Sequence, residues 1–240
     1  MSQPLNSPVT TQWITSTAAD GTVLDAYLAL PPAGRGPGIV LLQEIFGVNA
    51  HIRAVAEQWA ADGFVVLAPD VFGRQVKRVE LGYVGEDRQR GVDLAQALKP
   101  DEVLADLRGA VATLRARPEV GGARVGAMGY CMGGRLAWLA AAKSGVDAAV
   151  AYYGGGIHTQ LALAPEVNCP IQFHYAERDD HIPLEAVQQV RAAVAGKVAE
   201  VHVYPGSMHG FNCWARASYH APSAALAHGR ALAFLAQQLF

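Results

Sequence analysis

Gly129-Tyr130-Cys131-Met132-Gly133-Gly134 stands between a short apolar run, Arg124 to Met128, and a stretch of helical periodicity, Met132 to Lys143. A strand that turns sharply into a helix through a G-x-nucleophile-x-G sequence presents its central side chain at the top of a sheet. The glycines are needed because neighbouring backbone passes so close to the turn that a Cβ would collide with it. The turn also sets Cys131 at a helix N-terminus, where unpaired N–H groups and the helix dipole favour a thiolate. Cys131 is therefore a candidate nucleophile; the competing reading is a buried structural thiol beside a glycine-rich turn.

Outward from this turn, strands and helices alternate. Trp13 to Ser16 and Thr22 to Leu30, joined at Ala18-Ala19-Asp20-Gly21, read as an antiparallel hairpin. Gly38 to Leu42 and Phe64 to Ala68 are apolar throughout, as strands buried on both faces are. Asn49 is placed to cap a helix over Ala50 to Ala61, which Gly63 ends. Further pairs follow: a helix over Asp101 to Arg117 before the strand Arg124 to Met128, then the helix Met132 to Lys143 before a strand Asp147 to Tyr152. A strand Pro170 to Ala176, a helix Leu184 to Ala195, a strand Glu200 to Tyr204 and a helix Pro222 to Leu239 complete the chain. Alternation of this kind needs crossover connections, and so predicts one α/β domain over residues 1–240, a mainly parallel sheet covered by helices on both faces. One connection is long and rich in charge, Val71 to Pro100, with a helix over Glu86 to Leu98; it reads as a partial cover over the site.

The chain has 240 residues, 51% apolar and 17% charged, which excludes a disordered polymer and supports a full core. No apolar run has membrane length. Nineteen basic and twenty-one acidic side chains, without a Lys/Arg block, argue against a nucleic-acid partner. Met1 to Thr11 lacks the pattern of a secretory signal, so a cytoplasmic location is expected. Cys131, Cys169 and Cys213 are odd in number and never in C-x-x-C spacing, which argues against a disulfide framework and a thiolate zinc site. No metal or cofactor is implied, and a monomer or weak homo-oligomer is expected.

A nucleophile on such a fold needs an acid and then a histidine, in that chain order. Asp179-Asp180 follows the strand ending at Ala176, and His209 follows the strand ending at Tyr204, in a Gly-flanked loop. Both lie beyond the carboxyl ends of strands, where open α/β sheets keep their sites. Alternation does not choose between Asp179 and Asp180, and His181 is a rival base. His174, His181 and Cys169 have no spacing suited to a metal.

Gln43-Glu44-Ile45-Phe46-Gly47-Val48-Asn49, Ala68-Pro69-Asp70, the turn at Cys131, Tyr152-Tyr153-Gly154 and His209-Gly210-Phe211 together resemble the dienelactone hydrolase family of the α/β-hydrolase fold. The resemblance runs from about Gly38 to the C-terminus and implies a triad of Cys131, Asp179 and His209. It implies an oxyanion hole from the N–H groups of Ile45 and Met132, and a substrate site including Arg74, Phe46, Tyr130 and Phe211. It further implies that Glu44 engages the resting cysteine and Arg74. The family's substrate is a cyclic enol ester that opens to maleylacetate. Where the family has a second, carboxylate-gripping arginine, four residues beyond the histidine, this chain has Cys213; Arg216 stands three further on.

A cysteine also constrains the substrate. A tetrahedral adduct expels the better leaving group, and a thiol of pKa about 8.5 leaves far more readily than an alkoxide whose acid is near 15.7. Enol lactones, aryl esters and thioesters are expected substrates; simple alkyl esters and amides are not. The alternatives are a broad carboxylesterase or thioesterase and, from another class, a thiol redox sensor or non-catalytic binding module.

Overall fold

Thr10–Thr17 (β1) and Val23–Leu30 (β2) pair antiparallel in register from Thr10 with Leu30 to Thr17 with Val23. They open a computed structural model that describes residues 8–240; the reading of the first residues as lacking a leader falls largely outside these. Gly38–Leu42 (β3) is buried along its length, and its side chains divide by alternation. Ile39 and Leu41 enter the core on one face, Val40 and Leu42 that on the other. Ala50–Ala61 (α1) starts where the Asn49 side chain accepts the Ile52 N–H at 3.2 Å, and presents Val55, Ala56 and Trp59 to the sheet. It leads to Val65–Pro69 (β4), parallel to β3.

The long connection is ordered into a helix, Gly85–Gln96 (α2), followed by Pro100–Arg115 (α3), whose first turn holds a proline and two acids. Val125–Tyr130 (β5) and Met132–Lys143 (α4) flank the turn at Cys131. Ala148–Tyr152 (β6), Ile171–Ala176 (β7), Leu184–Ala193 (α5), Ala199–Tyr204 (β8) and Ala221–Leu239 (α6) follow. Two 3₁₀ turns, Ile157–Thr159 and Leu161–Glu166, were not expected: Gly156 at φ 85° opens the first and Pro165 interrupts the second, so neither carries a readable period.

The eight strands run in the order β1-β2-β4-β3-β5-β6-β7-β8, antiparallel only at the β1 and β2 pairings. After β3 the chain moves outward to β4, then returns to the other side of β3 to form β5. The order thus reverses between β3 and β5, whose ends are aligned at Leu42 and Gly129. That is the position at which doubly wound sheets leave a crevice for ligands. Trp59 of α1 and Phe234 and Leu235 of α6 pack on one sheet face; Leu107 and Leu114 of α3 with Leu136 and Ala140 of α4 pack on the other. No described helix is long and apolar enough to cross a membrane.

Candidate active site

Cys131 adopts φ 55°, ψ −115°, a conformation that side chains other than glycine rarely take. It is held there by its N–H, which donates to Tyr152 O at 3.0 Å, and by close backbone packing. A Cβ on Gly133 would overlap the Leu42 carbonyl, and one on Gly129 would overlap the Gly133 carbonyl. The two glycines let α4 start directly against the end of β3, which lifts the sulfur into the crevice.

His209 reaches the same crevice from the loop after β8. Its Nδ1 donates to Asp179 at 2.9 and 3.1 Å, and the same carboxylate accepts the N–H groups of His181 at 2.9 Å and Ile182 at 3.1 Å. Asp180 instead faces solvent and approaches only His181, at 3.6 Å. Of the pair, it is Asp179 that bonds His209. The ring of His209 packs edge-on to Tyr153 with centroids 5.1 Å apart, and its other nitrogen is left for Cys131. Burial alone would lower the imidazole, but the adjoining Cys131 sulfur and the Asp179 carboxylate outweigh it and raise His209 to about 10. His181 lies against His209 but bonds no acid comparable to Asp179.

Glu44, buried directly after β3, accepts from Arg216 Nη1 at 3.1 Å. Burial pushes its carboxyl upward, against the opposing pull of Arg216, His209 and Cys213. Arg216 thus supplies the guanidinium expected from Arg74. Arg74 itself is elsewhere: it bonds Asp106 of α3 at 2.7 Å, Asp20 of the first turn at 2.8 Å and Thr22 Oγ1 at 3.0 Å. It ties the hairpin and α3 to the loop after β4, and no hydrogen bond joins Glu44 to Cys131 in this structure. Replacing Arg74 by Met strands Asp106, so a loss of about 3 kcal/mol is expected. Ester turnover should be unaffected, and thermal melts beside kcat/KM will check both halves of that prediction.

Cys131, His209 and Arg216 line a cavity of about 200 Å³ with Ile45, Phe46 and Arg88. Of the four expected substrate contacts, Phe46 alone stands on its wall. Tyr130 is not on its wall: it is buried in the core beside Met128, tilted against Tyr152 with centroids 4.7 Å apart, because β5 alternates and Tyr130 follows Met128 by two. Phe211 is fully buried between Tyr153 and Tyr204. Arg88, on α2 one turn before Val92, is a wall residue that the sequence reading missed; its only signal was position inside the long charged connection. Cys213 is buried beside Glu44 and Tyr83, where desolvation pushes its thiol up to about 12. Among the described residues no group of three or more His, Cys, Asp or Glu side chains could hold a metal ion.

Residues 24–239 match the dienelactone hydrolase family model. The carboxymethylenebutenolidase of Pseudomonas putida is 37% identical over 228 residues, covering 94% of this chain and 96% of that protein. Carboxymethylenebutenolidase 1 of Cupriavidus pinatubonensis is 32% identical, covering 92% and 94%. Among solved structures, a provisionally assigned dienelactone hydrolase of Klebsiella pneumoniae superimposes with a TM-score of 0.84 at 33% identity, covering 95% of this chain and 99% of its own. With its reversing sheet and strained cysteine turn, the chain belongs to the dienelactone hydrolase family of ester-cleaving α/β hydrolases.

Proposed function

We propose that the protein opens a dienelactone-type enol lactone to maleylacetate through an acyl-thioester on Cys131. The observation that carries this reading is the meeting of Cys131 and His209 in one small cavity, with Asp179 fixing the imidazole from behind. Cys131 attacks the lactone carbonyl as a thiolate, with His209 protonated beside it. The Ile45 N–H, which has no acceptor among the described residues, and the Met132 N–H, unpaired at the first position of α4, face the developing oxyanion. The C–O bond breaks, the enolate takes its proton from His209, and the acyl group stays on sulfur. Water, deprotonated by His209, then cleaves the thioester and returns the thiol.

Arg88 and Arg216 give the cavity its positive charge, which suits a substrate bearing a carboxylate. Arg216 is already bonded to Glu44, so an incoming carboxylate competes with Glu44 for it. The test is to follow the dienelactone chromophore with purified protein and quantify maleylacetate. Stoichiometric conversion, lost in Cys131→Ala, is the expected result. Cleavage of 4-nitrophenyl acetate without turnover of the lactone would leave a broader esterase and reject this substrate.

A further inference from the structure

Beside the catalytic cavity lies a larger one, of about 480 Å³, between α2, α3 and α4. The two share Ile45 and Val92 as a common wall. Leu98, Val103, Leu136 and Leu139 make most of the remaining lining apolar, and Arg135 and Gln160 stand among them. Arg135 extends along Gly156, next to Gly155 of the catalytic cavity, and its guanidinium has no hydrogen bond or ion pair among the described residues. Gln160 has its side-chain Oε1 buried without a partner. A buried amide oxygen left unpaired is unfavourable.

Arg135 and Leu139, four residues apart, share one face of α4, and Cys131 caps the same helix at its start. Four residues advance about 6 Å along a helix, and the second cavity therefore continues from the sulfur along α4. An acyl group on sulfur that is longer than the small cavity can hold can extend past Ile45 and Val92 into the larger one. Its apolar part would lie over Ile45, Val92, Leu136 and Leu139, and a negative group at its far end would meet Arg135.

We infer that this cavity is an acyl-chain subsite for activated esters whose acyl group ends in a carboxylate. The inference rests on Cys131 being the acylated residue but concerns a different set of side chains. Three 4-nitrophenyl esters test it: the acetate, the octanoate and the monoester of octanedioate. In the wild-type protein kcat/KM for the octanedioate monoester should exceed that for the octanoate about tenfold, the worth of one charge-assisted hydrogen bond. Arg135→Gln should erase that difference and leave the acetate within about twofold. Leu139→Trp should slow both long esters about tenfold and spare the acetate, by filling the cavity.

Free octanedioate, titrated calorimetrically into Cys131→Ala protein, reads the subsite without turnover. Binding should occur and weaken about tenfold when Arg135→Gln is added. Equal rates for the two long esters in the wild type, an Arg135→Gln defect that falls equally on the acetate, or absence of octanedioate binding would each overturn the subsite. If the acetate itself were not cleaved, the cysteine mechanism would fail, and the octanedioate titration would still decide the subsite.

Discussion

Replacing Cys131 by Ala should lower 4-nitrophenyl acetate turnover by at least about four orders of magnitude, to the level left by binding and backbone donors alone. The expectation follows from geometry: among the described residues, Cys131 is the cysteine on the wall of the cavity that holds His209. Cys213 is sealed beside Glu44 and Tyr83, and Cys169 is pushed up to about 11 by burial, so neither offers a thiolate near neutral pH. The substitution has a second readout. The Cys131 sulfur is the largest influence raising His209, so the imidazole should titrate well below 10 in the alanine variant, as NMR of the ring protons would record. An imidazole that still titrates near 10 would mean that its partner is some other group. Cys131→Ser should rescue little, since a hydroxyl is a far weaker nucleophile than a thiol at neutral pH.

Asp179→Asn is expected to reduce kcat by about two to four orders of magnitude, because the amide can hold the imidazole in the wrong tautomer while preserving its position. Its effect on pH dependence has a definite sign. The Cys131 sulfur and, after it, the Asp179 carboxylate raise His209 to about 10, so the imidazolium of the proposed mechanism persists until pH climbs through that value. Without the carboxylate charge the ring loses its proton at lower pH, and the alkaline limb of kcat/KM should move down. The same linkage holds for folding. The charged pair contributes fully below the unfolded histidine value, near 6.5, and its contribution disappears as pH rises through about 10. An alkaline limb unmoved in Asp179→Asn would remove Asp179 from the triad.

Much of the architecture was legible because each signal was local. The uniform apolarity of Gly38–Leu42 and Val65–Pro69 marks strands covered on both faces, and Asn49 announces α1 to the residue. The cysteine turn could be read because Gly129 and Gly133 are dictated by carbonyls one peptide away in space. What failed depends on contacts between distant segments. Arg74 was assigned to Glu44 by likeness, yet its partners come from α3 and the hairpin turn, thirty or more positions away in sequence. Arg216 reaches Glu44 only because the loop after His209 folds back, with Gly210 at φ 80° and the His220 N–H donating to Phe211 O at 3.0 Å. No spacing rule expresses that bend. Tyr130 is a different case: alternation along Val125–Tyr130 already directs it, with Met128, into the core on the face of α1 and α6, so it takes no place on the cavity wall. Arg88 needed the path of α2 over the crevice, which a run of charged residues does not reveal.

The most direct measurement is intact-protein and peptide mass spectrometry on samples acid-quenched within the first turnovers of 4-nitrophenyl acetate. One acetyl group on the peptide containing Cys131, removed by hydroxylamine and absent from Cys131→Ala protein, is the predicted result. Rapid phenolate release with no adduct on that peptide, or an acetyl group on another residue that persists in Cys131→Ala, would contradict it.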